Sequence, residues 1–350
     1  MDMYDLDLHQ RLQHCKTAYS TRHVDLSMAT DLVTTVSPRA GDLVLAVVSK
    51  LGHHKALESR DGRRCTLFVG DEIVVAYGNR YAPDQFEAEI RGDLGPCDLV
   101  AAGGIASNVL SRSAKTSAAT TITPVGLLAD RTGRILNVAD AALPTLREPK
   151  TARVYAVIGA SMNAGKTTTA VSLIRGFRAA GYRVGSAKVT GTGAGGDLWR
   201  MMDAGARPAL DFTSAGVVST YKVEHAELLR ICFTLASHAM RTGIDVLVLE
   251  IADGLYQRET AMLLQSPEFQ QLVDGVFFAA RDALGAKAGV DWLARHHLKT
   301  LAISGIITIA PLAIQEATEA VGLPVLGLDA LGDPAMLEEL TGAESVQAVL

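Results

Sequence analysis

The sequence predicts a mixed α/β protein in two domains. A smaller β-rich (α+β) domain is expected over residues 1–142, and an α/β domain with a mostly parallel sheet over 153–350. Three observations carry this reading. The 350 residues are about twice the length of a typical single domain. The hydrophobic fraction is 48%, yet aromatics are only 5% and glycines number 32, so the core is built of Ala, Val, Leu and Ile between many tight turns. The rhythm of the chain also changes at LPTLREPK (Leu143–Lys150), a two-proline stretch of mixed charge inside the linker expected at 143–152.

Before that linker, short apolar runs alternate with turn signals: GDLVLAVV from Gly41, RRCTLFVGDEIVVAYGN from Arg63 and PVGLLADRTGRILNV from Pro124. These read as strands, with helix-like patterning confined to the first 35 residues or so. CDLVAAGGIASNVL from Cys97 reads as a strand entering a glycine turn and then a short helix. Beyond the linker, strands are expected at Val154–Ile158, Val184–Val189, Val246–Ile251, Gly275–Ala279, Leu301–Ile307 and Pro324–Leu328. Helical patterns fill the gaps, at Lys166–Ala180, Leu198–Ala204, Val223–Thr242, Ala283–His297 and Leu312–Val321. This alternation implies right-handed crossovers, with ligand sites at the C-terminal ends of the strands.

Charge excludes several functions. With 33 basic against 38 acidic residues and no basic run, the chain lacks the footprint of a nucleic-acid binder. The four cysteines lie far apart with no CxxC spacing, which points to a reduced, cytoplasmic protein. The N-terminal MDMYDLDL is acidic and has no signal-peptide core. No apolar run approaches the roughly 18 residues of a membrane span, so no membrane partner is expected. The pairs His53-His54 and His296-His297 read as surface histidines, because adjacent side chains diverge.

The strongest signal is VYAVIGASMNAGKTTTAVSLIRGF. Ala160 through Thr167 fits the Walker A spacing, with alanine in place of the first glycine, after a β-branched strand and before an amphipathic helix. The backbone N–H groups of Ser161, Met162, Asn163, Ala164, Gly165, Lys166, Thr167 and Thr168 are expected to cradle phosphates at the positive end of the helix dipole. Lys166 would reach the β- and γ-phosphates, and the Thr167 hydroxyl would ligate Mg²⁺. The domain is therefore a P-loop nucleotide-binding domain. No NKxD-type guanine motif is present, and Ser161 stands where the dimeric sandwich ATPases carry a signature lysine.

Three further segments line up behind the loop, one of them AARDAL (Ala279–Leu284), which follows a strand and opens a helix. RVGSAKVTGTG runs from a strand ending at Lys188 into a glycine-rich loop that reaches Asp197. DVLVLEIADG is an apolar strand ending in Glu250, the Walker B arrangement. A carboxylate there needs a cation or donors, and Mg²⁺ or an internal salt bridge would serve. Asp197 suits either a metal ligand or a helix N-cap. Lys188 suits either a phosphate contact or a solvated strand end. Asp211, Thr213, Ser214 and Tyr221 lie in a polar stretch that reads as a substrate loop or as an ordinary connection. Asp253-Gly254 reads as a turn.

GKTTTAVSLIRGFRAAGYRVGSAKVTGTG followed by DVLVLEIADG resembles the dethiobiotin synthetase-like P-loop proteins over about residues 151–330. That group includes the molybdopterin-guanine-dinucleotide adaptor GTPases, whose Lys, Asp and Ala-Gly-Ala are matched by Lys188, Asp197 and Ala204-Gly205-Ala206. The resemblance implies Asp197 and Glu250 as acidic Mg²⁺ ligands and Lys188 as a lysine beside the transferred phosphate. It implies an ATP-dependent ligase or kinase-type enzyme that activates a small-molecule carboxylate or similar oxygen, with a homodimer possible. The other implied function is a nucleotide-gated adaptor acting on a protein partner. The resemblance implies ATP, with GTP possible: where dethiobiotin synthetase carries an asparagine for adenine, this chain reads Thr308-Ile309-Ala310, which leaves the base undetermined. The LEIADG stretch lengthens the loop after the Walker B strand.

Overall fold

The computed structural model describes residues 7–342. Residues 1–6 of the acidic N-terminal stretch, and 343–350 at the end of the expected second domain, lie outside it. The chain separates into two compact units. The first holds the residues up to Pro144 together with Thr192–Gly196 and Phe212–Lys222, and the second holds Thr145–Gly191, Asp197–Asp211 and the chain from Val223 onward. Two segments that follow strands of the second unit are thus folded into the first.

In the first unit, five strands pair in a closed circuit: Leu43–Lys50, Glu72–Tyr77, Ile105–Arg112, Cys97–Ala101 and Thr120–Ala129. Every pairing is antiparallel except Ile105↔Ala76 and Ala106↔Tyr77, which are parallel and close the ring. Successive residues fall on opposite faces, and both faces are covered. Leu43, Leu45, Val74 and Ala76 join one apolar cluster, while Val44, Ala46, Ile73 and Val75 join another. That is why these strands read as continuous apolar runs and not as alternation.

Three expectations here are corrected. The segment after the Gly103-Gly104 turn is the strand Ile105–Arg112 and not a helix, because its amides are taken up by sheet partners on both sides. Of the early helical patterning, the described residues form the α-helix Leu8–His14, capped by Asp7, and only short 3₁₀ turns at Tyr19–Thr21 and Leu26–Met28. His54 is buried, with Nε2 3.0 Å from the Val100 carbonyl oxygen, and burial beside Arg80 pulls its pKa down to about 3. It packs edge-on against Phe86 as a neutral core residue. His296 stacks on Trp292, and the described residues contain no group of three or more His, Cys, Asp or Glu placed to hold a metal.

The second unit is a P-loop NTPase fold. Six parallel strands lie in the order Ala209–Asp211, Val184–Lys188, Val246–Glu250, Arg153–Gly159, Gly275–Ala279, Thr300–Ser304. The helix Lys166–Ala179 packs on this sheet through Leu173, Ile174 and Phe177, and Phe177 stacks on Tyr155 of the central strand at 5.2 Å. The last expected strand, Pro324–Leu328, is reduced to a single bridge between Val325 and Ile303, because Pro324 has no N–H to donate and a helix starts at Leu328. Leu301–Ile307 is shortened to Thr300–Ser304, since Gly305 at φ +95° turns the chain. The strand Ala209–Asp211 and the helices Arg258–Leu264, Pro267–Leu272 and Pro334–Thr341 were not expected. No helix among the described residues is long and apolar enough to cross a membrane.

Candidate nucleotide and metal site

The central strand Arg153–Gly159 delivers its C-terminal end to the loop Ala160–Gly165, and the helix begins at Lys166. Gly165 sits at φ +102°, and a Cβ there would lie 2.7 Å from Gly305 Cα. Gly159 leaves room for the Lys166 stem, because its Cβ would lie 2.9 Å from Lys166 Cγ. Gly165→Ala is therefore expected to cost roughly 1–3 kcal/mol of stability. Calorimetric unfolding of the variant should show the midpoint lowered by several degrees.

Lys166 is buried, and Nζ donates to the Ser161 carbonyl at 2.8 Å. Burial pulls its pKa below the usual lysine value, opposed by the carboxylates of Glu250 and Asp253. A buried ammonium whose one hydrogen bond among the described residues is to a loop carbonyl is poised to take up an anion.

Thr167, Asp197 and Glu250 converge. Thr167 Oγ1 stands 2.9 Å from Asp197 Oδ1 and 3.0 Å from Glu250 Oε1. A hydroxyl has one proton, so it satisfies only one of these carboxylate oxygens at a time. Glu250 Oε2 is buried and has no hydrogen-bond partner among the described residues. Burial, with the Asp197 carboxylate nearby, pushes the Glu250 pKa up to about 7. Burial also pushes on Asp197, but the Lys188 ammonium outweighs it and holds the acid below its ordinary value.

Lys188 ends its strand in register with Glu250 on one side and Asp211 on the other. Its ammonium is ion-paired with Asp197. Burial works against its charge, but the carboxylates of Asp197 and Glu250 more than compensate and raise its pKa. Lys188 is thus a half-buried, ion-paired cation and not a solvated strand end. Asp197 opens the helix Gly196–Asp203 with its carboxylate turned to Thr167 and Lys188, which are not on its own helix.

Other residues singled out in the sequence separate. Asp211 is buried at the end of its short strand, next to Lys188 in register. Thr213, Ser214 and Tyr221 belong to the first unit, where they pair with Arg22, His23 and Glu87. The stretch read as one substrate loop is therefore divided between two units. Asp253 adopts φ +63°, as a turn requires, and its charge is felt at Lys166.

Two contributors were not anticipated. Thr190 Oγ1 accepts the Ala252 N–H at 2.8 Å and so ties down the loop after the Walker B strand. Arg281 donates to the Asn163 carbonyl at 3.1 Å from just beyond the neighbouring strand. The available signal was position alone, since both follow the C-terminal end of a parallel strand.

The donor set suits Mg²⁺, which takes one or two carboxylates plus phosphate oxygens and seldom an all-protein cage. The orphaned Glu250 Oε2 marks where positive charge is missing.

No family model matches the chain, and no curated protein matches it. Solved structures similar to it include the signal recognition particle 54 kDa protein from Aeropyrum pernix K1 in complex with GDP. That match has 18% identity and a TM-score of 0.36, covering 57% of this chain and 48% of that one. The cell division protein FtsY from Thermotoga maritima follows at 17% identity and 0.35, covering 58% and 74%. FtsY from Mycoplasma mycoides stands at 15% and 0.34, covering 54% and 63%. The chain spans about half the length of the Aeropyrum protein it matches. The P-loop fold of the second unit stands on its own strand, loop and helix geometry.

Proposed function

We propose that the second unit binds a nucleoside triphosphate with Mg²⁺ and moves its γ-phosphoryl group. The observation that carries this is the Thr167 hydroxyl held between two carboxylates, one with an orphaned buried oxygen, one residue along the chain from a buried P-loop lysine. Thr167, Asp197 and Glu250 would hold Mg²⁺, which when bound neutralises charge on the phosphate oxygens. Loop N–H groups and Lys166 orient the phosphates. Lys188, kept cationic by its carboxylate neighbours, is placed to stabilise charge on the group in transfer.

The finer reading is ATP-dependent activation of a small-molecule carboxylate or similar oxygen, as in the dethiobiotin synthetase-like proteins. Lys188 supports it, because a second lysine, half-buried and kept cationic, would serve a phosphoryl group passing to an acceptor. Phosphate release from Mg·ATP and Mg·GTP, with and without a pooled small-metabolite extract, tests it. Release stimulated by extract with one nucleotide is expected. Slow release indifferent to extract would sink the small-molecule reading and favour nucleotide gating of a protein partner.

A further inference from the structure

Three strands of the first unit lie side by side, Arg80–Tyr81, Phe86–Glu89 and Ile105–Arg112. Their register sets Tyr81 beside Glu87 and Glu87 beside Ser111. Such cross-strand partners share a face, here the one opposite the buried Phe86 and Ala88. Regular pairing would put Leu110 against Glu87. Instead the register slips between Val109 and Ser111, and this bulge leaves Leu110 exposed and brings a hydroxyl to the acid. Ser111 Oγ donates to Glu87 Oε2 at 3.0 Å, and the Tyr221 hydroxyl donates to Oε1 at 3.0 Å.

The two acids of that strand face are balanced differently. Glu89 is ion-paired with Lys222. Glu87 has two neutral donors and, among the described residues, no cation at ion-pair distance. Arg80 donates instead to the Val100 carbonyl and, at 2.7 Å, to Gln85 Oε1. Hydroxyls orient a carboxylate but do not offset its charge. Glu87 also opens onto a cavity of about 160 Å³, walled by Tyr81, Gln85, Ser111 and Ser113. The Tyr81 ring is itself braced by Tyr221, with centroids 5.5 Å apart. A divalent metal would want more oxygen ligands than this single carboxylate supplies. An ammonium group suits both features, since it donates to the carboxylate and is attracted to an aromatic wall.

We propose that this cavity binds a small organic cation, an alkylammonium, with Glu87 as its counter-charge and Tyr81 as its wall. At roughly 30 Å³ for each water-sized group, the space takes about five such groups. A free amine or the side chain of a lysine can supply this chemistry. The site lies wholly within the first unit and is independent of the nucleotide reading.

The test is saturation-transfer NMR titration of the full chain with n-butylammonium, and with n-butanol as its neutral counterpart. Butylammonium is expected to bind at least about tenfold more tightly, because only the cation gains a charge-assisted hydrogen bond. Glu87→Gln keeps the shape and an acceptor oxygen, and should weaken butylammonium by about tenfold while leaving n-butanol unchanged. Tyr81→Leu should weaken butylammonium by about threefold, through loss of the cation–π attraction. Equal binding of the two probes to wild type, no butylammonium binding, or unchanged affinity in Glu87→Gln would each overturn the assignment. The comparison of probes on wild type decides the matter even if Glu87→Gln fails to fold. Nα-acetyl-lysine methylamide, titrated in parallel, separates the two sources. Tighter binding than butylammonium marks a lysine side chain as the ligand, and weaker binding marks a free amine.

Discussion

Lys166→Ala is expected to reduce nucleoside-triphosphate turnover by about 10²–10³-fold, the usual effect of removing one preorganised donor aimed at developing charge. Binding should weaken by roughly 1.5–3 kcal/mol, the range for a hydrogen bond to a charged group. The two effects separate because ground-state contacts from the loop N–H groups remain in the variant. The apo protein should lose little, since Lys166 has one carbonyl partner in the loop and burial already works against its charge. Isothermal titration with Mg·ATP and Mg·GTP, beside single-turnover phosphate release, measures both. Unchanged affinity together with unchanged turnover would remove Lys166 from the site.

Glu250→Gln is expected to abolish the Mg²⁺ dependence of turnover and yet stabilise the metal-free protein at alkaline pH. The reason lies in the raised acid. With its pKa at about 7 in the folded chain, against an ordinary 4.5, Glu250 retains a proton that the unfolded chain has released between those values. Its contribution to stability is full below pH 4.5 and is lost as pH rises to about 7, above which the buried charge is carried in full. Wild type should therefore unfold several degrees below Glu250→Gln at pH 8 in EDTA, and the gap should close toward pH 5. Mg²⁺ binding runs the other way, because the ligand must be ionised. Its affinity should rise by up to about tenfold per pH unit below 7 and level off above. Thermal unfolding across pH with and without Mg²⁺ measures both slopes, and a pH-independent gap between the variants would contradict the assignment.

Much of the candidate site was legible because its chemistry is written next to its scaffold. Ser161 through Thr168 follow a strand and open a helix in one stretch, so the residue types and their geometry are specified together. Lys188 and Glu250 each end an apolar strand, and parallel pairing brings such ends to one edge of the sheet. Asp197 was legible only as a choice between cap and ligand. In the structure its carboxylate stands against Thr167 and Lys188, 30 and 9 residues away along the chain.

By itself, the sequence indicated most of the strands and helices of the second unit, the strand, loop and helix around Ala160–Thr168, and the acids and lysines at the strand ends behind it. Local periodicity and motif spacing are short-range properties that a linear reading captures. Tertiary structure alone decided that five strands of the first unit close into a ring and that His54 is a buried neutral core residue. It also decided that Thr192–Gly196 and Phe212–Lys222 join the first unit, which gives Thr213, Ser214 and Tyr221 partners there. Those outcomes depend on pairings between residues far apart in sequence. Glu58, for example, meets Gly195 across 137 positions, and no local pattern specifies which distant backbone group a buried carboxylate will find.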